Sequence, residues 1–215
     1  PHLAYDMDGT RDALRFGRSR PLPVRAQMLH GKPIGLVGWG RISANLAALL
    51  QHWGVQLDVY SRRGTLADLP AHAHPVSLEA LLSGSDFVCV LAGAEANMPP
   101  VINRQGLALM KRSARLINLS RGAVVDEAAL IDALQSGRIA GAALDVFAVE
   151  PLPMDSPLRS LQNVILTPHH VGHTQEGDRS LIPAIIDNVM ALLQGEVPPM
   201  VRNPEATGRW LERFG

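Results

Sequence analysis

From Lys32 onward, short apolar runs alternate with stretches whose apolar residues recur at helical spacing. The run IGLVG at 34–38 predicts a strand ending in glycine, and the apolar positions over 42–50 predict a helix behind it. Residues 55–60 form a second strand candidate. Ser77 is placed to cap a short helix over 78–82, and 87–91 reads as a third strand. A helix over 104–110 and a strand over 114–119 follow. Asp126 caps a helix that runs to Leu134 and stops at Gly137, and 139–146 returns as a strand. Residues 164–167 form a short last strand before a long helical pattern over 181–193. This rhythm predicts a parallel sheet covered by helices on both faces, the doubly wound α/β architecture. No internal repeat or low-complexity tract interrupts it.

The first 30 residues break the rhythm. Arg11, Arg15, Arg18, Arg20 and Arg25 lie among Pro21 and Pro23 with little regular period, which reads as a solvated linker or the remnant of something larger. A basic docking arm is the alternative. The expected organisation is a linker over 1–30, a central domain over 31–174, and a C-terminal helix and tail over 175–215.

Composition narrows the classes. In 215 residues, 47% hydrophobic content excludes wholesale disorder and allows a sizeable core. Twenty basic residues balance twenty acidic ones, so bulk charge gives no support to a nucleic-acid or anionic-membrane partner. Cys89 is the one cysteine, so no intramolecular disulfide is available and a reducing cytoplasm is the expected compartment. No apolar run is long enough to span a membrane, and no charged-then-apolar signal opens the chain. A first residue of Pro1 points to a processed or trimmed chain or a piece of a longer one.

Candidate chemistry begins at Gly38-Trp39-Gly40-Arg41-Ile42-Ser43, where an apolar strand hands over to a helix. Gly38 permits the tight turn. Gly40 lets the backbone approach a pyrophosphate seated on the helix N-terminus, where unpaired N–H groups favour negative charge. Ser43 stands at the third position and is small enough for close helix–strand packing. In this context the loop predicts a Rossmann-type dinucleotide-binding domain, with Gly38, Gly40, Arg41 and Ile42 at the cofactor. An acidic residue ending the second strand normally binds the adenosine ribose of NAD, but the chain reads Val59-Tyr60-Ser61-Arg62-Arg63 there. Asp58 lies inside the strand. Ser61, Arg62 and Arg63 therefore predict NADP(H) over NAD(H), because guanidinium groups suit a 2′-phosphate that a carboxylate would repel. Arginines that only solvate a loop are the alternative.

Three further segments carry polar groups at the ends of predicted strands, where open α/β sheets place ligands. They are Ile117-Asn118-Leu119-Ser120-Arg121-Gly122, Leu144-Asp145-Val146-Phe147-Ala148-Val149-Glu150-Pro151, and Thr167-Pro168-His169-His170-Val171-Gly172. With the glycine loop, Ile102-Asn103, Leu109-Met110-Lys111, Arg121-Gly122-Ala123-Val124-Val125-Asp126 and Ser136-Gly137-Arg138-Ile139-Ala140-Gly141, the chain resembles the NAD(P)-binding domain of the D-isomer-specific 2-hydroxyacid dehydrogenases, of the glyoxylate/hydroxypyruvate reductase kind. The resemblance covers about Leu29 to Pro204, and the intervals between Arg121, Glu150 and His169 match the family's catalytic set.

The resemblance implies a hydride transfer between NAD(P)H and a small 2-oxo or 2-hydroxy acid. Arg121 would bind the substrate carboxylate and carbonyl, His169 would be the acid–base residue, and Glu150 would orient and charge its imidazole. Asp145 would lie near the nicotinamide carboxamide, and Leu119, Ser120 and Gly172 would join the cofactor-binding set. The chemistry suits the residue types: histidine titrates nearest neutral pH, a carboxylate partner favours imidazolium, and arginine's planar fork fits a carboxylate. The family also implies a homodimer formed through the cofactor domain.

Two departures qualify the expectation. The family's separate substrate domain has no counterpart in the 30 residues ahead of the glycine loop, which implies apolar surface on the C-terminal helix, exposed or covered by another chain. After the third predicted strand the chain reads Leu91-Ala92-Gly93-Ala94-Glu95 where the family usually has proline and threonine. A nucleotide-binding or interaction module without turnover is the alternative function, and a dehydrogenase of other carbonyls a third. The H-x-H at His72 and His74 and the cluster His169, His170 and His173 lack the companions of a zinc site, so no metal is expected. Cys89 reads as a core thiol, and Trp39 either covers the cofactor or packs on the sheet.

Overall fold

A computed structural model of the chain describes residues 2–5, 7–17, 26–62, 66, 68–94, 98–201 and 203–214. The chain divides into two compact units, Pro1–His169 and His170–Gly215. The first holds a seven-stranded parallel sheet in the order β3-β2-β1-β4-β5-β6-β7. Its strands are β1 (Pro33–Val37), β2 (Gln56–Tyr60), β3 (Ala73–Pro75), β4 (Phe87–Val90), β5 (Arg115–Asn118), β6 (Gly141–Leu144) and β7 (Val164–Leu166). The helices of this unit are α1 (His2–Tyr5), α2 (Met7–Arg15), α3 (Arg41–Leu50), α4 (Leu78–Gly84), α5 (Arg104–Leu109) and α6 (Glu127–Gln135). This is the doubly wound fold that the alternation predicts.

Side chains alternate between two cores. Along β1, Leu36 joins Leu57, Val59, Ala47 and Phe87 on one face, and Val37 joins Val88, Val90, Leu116 and Leu144 on the other. Both faces are buried, which is why the strands read as continuous apolar runs. At Gly35 a Cβ would stand 2.3 Å from Leu81 Cδ2, so β1 and α4 pack in direct contact. The two caps read from the sequence form, Ser77 and Asp126 accepting the N–H of Ala80 and Ala129, and Asn103 caps α5 in the same way by accepting the Gly106 N–H.

Two features depart from the sequence reading. The strand β3 was not expected, because Ala73–Pro75 carries no apolar run; it pairs with β2 at the sheet edge, where His74 is exposed and His72 Nε2 reaches the Ala47 carbonyl at 3.1 Å. Within 1–30, expected as a linker, the chain forms α1 and α2. Among the side chains described there, Ala4 and Ala13 are buried, alanines too small to mark a period, and Ala4 packs with Leu29 and Ile34. Arg18, Arg20, Pro21, Pro23 and Arg25 lie outside the described residues.

The second unit contains α7 (Gln175–Leu193) and α8 (Thr207–Phe214). The helix α7 starts six residues before its first large apolar residue, Leu181, because Thr174 caps it by accepting the Gly177 N–H at 3.0 Å and Glu176 and Asp178 suit its first turn. Leu181, Ile182, Ile185, Ile186, Val189 and Leu193 of α7 are exposed. No helix among the described residues is long and apolar enough to cross a membrane.

Candidate active site

The strand order reverses between β1 and β4, and the loops leaving these two strands meet there. Gly38 has φ +104°, and a Cβ on it would lie 2.6 Å from both the N and the Cα of Ala92. Only glycine fits so close an approach at that angle. The Gly38 N–H also donates to the Tyr60 carbonyl at 2.7 Å, drawing the end of β2 against the same turn. Gly40, by contrast, faces open space, and as the N-cap of α3 it supplies no side chain to the first-turn N–H groups. A dinucleotide pyrophosphate fits this donor set: an open glycine before a ten-residue helix with an uncapped N-terminus. Arg41 and Ile42 are exposed at its start. Ser43, 1% exposed, donates its hydroxyl to the Gly38 carbonyl at 2.8 Å, so the third position of the motif ties the loop as well as permitting packing. Trp39 packs half-buried against the core on the α3 side.

Beside this turn, Ser61 is half-buried and Arg62 exposed; Arg63 lies outside the described residues, as does Glu95. Asp58 pairs with Gly35 in the middle of β2, two residues before the strand ends at Tyr60. On β5, buried Asn118 organises the loop that follows. Its Oδ1 accepts the Ser120 N–H at 3.1 Å and the Ser120 hydroxyl at 2.9 Å, and its Nδ2 donates to the Arg121 carbonyl at 3.1 Å. Leu119 and Arg121 are left exposed on this frame, and Arg121 Nη1 donates to the Ser120 carbonyl at 2.6 Å.

Across from Arg121, the loop after β6 brings Glu150 to His169. Glu150 Oε2 accepts from His169 Nδ1 at 2.8 Å and Oε1 accepts the Phe147 N–H at 3.0 Å. The His169 hydrogen bond, and then the Phe147 amide, hold the Glu150 carboxyl below its usual range, with the charges of His169 and Arg121 acting in the same sense. An ionised carboxylate only accepts, so Nδ1 carries the proton and Nε2 is the ring nitrogen left for chemistry. His169 has φ +54°, a left-handed backbone unusual for a non-glycine residue, and its N–H donates to the Thr167 carbonyl at 3.0 Å. Thr167 in turn donates its hydroxyl to buried Asp145 at 2.6 Å. Glu150 and His169 border a cavity of about 590 Å³ that Phe147, Leu152, Arg159 and Leu166 also line.

Sequence reasoning passed over the residues that hold these loops together. A Cβ on Gly122 would stand 1.9 Å from the Phe147 carbonyl oxygen, so the glycine after Arg121 lets the two loops touch. Glu127, next to the Asp126 cap, accepts the Ala148 N–H at 2.8 Å. Arg159 donates to the carbonyls of Leu152 and Pro153. The family pattern contains Gly122, which was a usable signal; Glu127 and Arg159 act through the backbone and left none.

Gly172 belongs to the second unit, where it is exposed with open space about it. In that unit the rings of His170 and His173 stack 5.0 Å apart, and His173 Nδ1 lies 3.6 Å from Asp178. Among the described residues, no group of three or more His, Cys, Asp or Glu is arranged to hold a metal ion. Burial pushes the Cys89 thiol up to about 12, which keeps it protonated in β4.

The chain is 42% identical over 180 residues to glyoxylate/hydroxypyruvate reductase B of Pectobacterium carotovorum subsp. carotovorum, covering 82% of the chain and 56% of that protein. It thus spans about half the length of the curated relatives it matches. Among solved structures, a D-isomer specific 2-hydroxyacid dehydrogenase from Xanthobacter autotrophicus Py2, in complex with NADPH and MES, superposes with a TM-score of 0.77 at 34% identity, over 95% of this chain and 84% of that one. D-lactate dehydrogenase with NAD+ from Lactobacillus jensenii gives a TM-score of 0.82 at 27% identity, over 93% and 64%. The family model described as D-isomer specific 2-hydroxyacid dehydrogenase, NAD binding domain, matches residues 3–171, and the chain belongs to that family.

Proposed function

We propose that the chain is the coenzyme-binding part of an NAD(P)H-dependent reductase of small 2-oxo acids, running reversibly as a 2-hydroxyacid dehydrogenase. The observation that carries this reading is the 2.8 Å pair between His169 Nδ1 and Glu150 at the carboxyl edge of the sheet, with Arg121 on the adjoining loop. Gly38, Gly40, Arg41 and Ile42 would receive the pyrophosphate, with Ser120, Leu119 and Asp145 completing the cofactor set. The nicotinamide, when bound, supplies or takes up the hydride.

The chain's own residues do the rest. Arg121 binds the substrate carboxylate through its planar fork and polarises the neighbouring carbonyl. His169, its Nδ1 held by Glu150, donates a proton from Nε2 to the carbonyl oxygen as the hydroxyl forms. In the reverse direction, neutral Nε2 takes that proton back. Glu150 keeps its own charge throughout, because its Phe147 and His169 partners favour the ionised form.

NADP(H) is the preferred coenzyme in this reading. It is supported by the absence of a carboxylate where β2 ends and by Ser61 and Arg62 following Tyr60 there. The relatives, which include a structure with NADPH and one with NAD+, leave both forms open by descent. A homodimer built through this domain belongs to the same proposal.

The test is reduction of glyoxylate, hydroxypyruvate and larger 2-oxo acids by the complete protein, followed by loss of NADPH or NADH absorbance. The expected result is turnover with at least one short 2-oxo acid, faster with NADPH, and its collapse in His169→Ala with coenzyme binding retained. No turnover with any of them rejects the reading, and faster turnover with NADH rejects the coenzyme preference.

A further inference from the structure

The segment 147–153, which carries Glu150, is fastened on both sides of that residue by charged side chains from elsewhere in the fold. On the amino side Glu127 Oε2, in the first turn of α6, accepts the Ala148 N–H at 2.8 Å. On the carboxyl side Arg159, in the turn Pro157–Ser160, donates from Nε to the Pro153 carbonyl at 2.9 Å and from Nη2 to the Leu152 carbonyl at 2.7 Å. The Glu150 side chain between them is 37% exposed. Packing therefore does little to fix its rotamer, and its aim depends on the main chain beneath it and on the Phe147 N–H that meets Oε1.

We infer that Glu127 and Arg159 are positioning residues for Glu150: by holding the 147–148 peptide and the 152–153 carbonyls, they keep both carboxylate oxygens on their partners. The consequence for turnover rests on the dehydrogenase reading above. The geometry itself can be tested without turnover.

Four charged groups bear on Glu150. His169 and Arg121 act on the carboxylate directly, Glu127 holds the amide two residues before it, and Arg159 lines the same cavity. Their signs separate positioning from plain electrostatics. Removing the negative Glu127 by charge alone makes Glu150 easier to ionise and lowers its titration midpoint. Releasing the 147–148 peptide weakens the Phe147 hydrogen bond and raises it. For Arg159 the two effects coincide on truncation, so the informative variant is Arg159→Lys, which keeps the cation but cannot span two carbonyls.

The experiment follows the carboxyl 13C signal of Glu150 against pH in the 215-residue chain, assigned by its loss in Glu150→Gln. Glu127→Ala and Arg159→Lys should each raise the midpoint by about 0.5 pH unit, part of the worth of one hydrogen bond. Glu127→Gln, whose amide oxygen can accept the same N–H, should stay at or slightly below the parent. In the complete enzyme, Arg159→Lys should lower kcat several-fold while KM for the 2-oxo acid holds. A downward shift in Glu127→Ala, a rise in Glu127→Gln, or no shift in Arg159→Lys with the folded amide spectrum intact overturns the inference. If Glu127→Ala does not fold, the glutamine and lysine variants decide it by their opposite outcomes. A complete protein that reduces no 2-oxo acid defeats the dehydrogenase reading while the titration still judges this one.

Discussion

Replacing Gly122 by alanine is the sharpest way to perturb the site without touching any group that would do chemistry. The added Cβ would stand 1.9 Å from the Phe147 oxygen, 2.0 Å from its carbonyl carbon and 2.5 Å from the Ala148 nitrogen, all backbone atoms that cannot rotate away. A carbon–oxygen contact settles near about 3.3 Å, so the loops carrying Arg121 and Glu150 must part by roughly 1.4 Å. That movement strains the Ala148 N–H bond to Glu127, now 2.8 Å, and shifts the 147–150 loop against the Arg121 side. Overpacking of this kind costs about 1–3 kcal/mol and a lost hydrogen bond about 1 kcal/mol more, so a loss near 3 kcal/mol is expected. For a chain of this size that corresponds to a Tm lower by about 6–12 °C. Thermal unfolding followed by circular dichroism measures it. A Tm within about 1 °C of the parent would show that the loops are not in this contact and would refute the reasoning.

Other expectations follow from the same loops. Gly40→Ala meets no atom within 4 Å, so stability should hold or rise slightly while NADPH affinity, measured by calorimetry, falls at least tenfold; unchanged affinity would remove Gly40 from the pyrophosphate site. Ser43→Ala strips the Gly38 carbonyl of its buried hydroxyl donor and should cost about 1–2 kcal/mol in urea unfolding, whereas a neutral change would mean the loop does not need that tie. Glu150 ionises below its usual value of 4.5 in the folded chain, so the stability this contributes is full above that value and is lost as pH falls through the lower folded one. Glu150→Gln should therefore be less stable than the parent near neutrality and approach it as pH falls below 4.5 through the lower folded value, by a modest amount because the pair is solvent-screened; a gap that widens on acidification would contradict the assignment.

Much of the fold was legible because both faces of the sheet are buried. Strands such as β1 and β4 then announce themselves as apolar runs, and Ser77 and Asp126 mark helix starts by a local hydrogen bond that residue type alone foretells. The edge strand β3 was silent for the opposite reason: three residues ending in proline, paired on one side only, need no apolar pattern. Among the described side chains of α1 and α2 the buried ones are alanines, which carry too little hydrophobic signal to set a period. In the site, the motifs pointed to His169, Glu150 and Arg121 themselves. The atoms that fasten them belong to Asn118, Glu127 and Arg159 bonding to main chain, and such contacts depend on where separate loops meet, which no local pattern encodes.

Hydrogen exchange of the 215-residue chain with and without NADPH addresses the central claim, a dinucleotide seated at the carboxyl edge of this sheet beside the Glu150–His169 pair. Binding should slow amide exchange at 38–43, at 61–62 and at 119–122, and leave β3 and α2 unchanged. Slowing confined to other segments, or none at saturating NADPH, would contradict it.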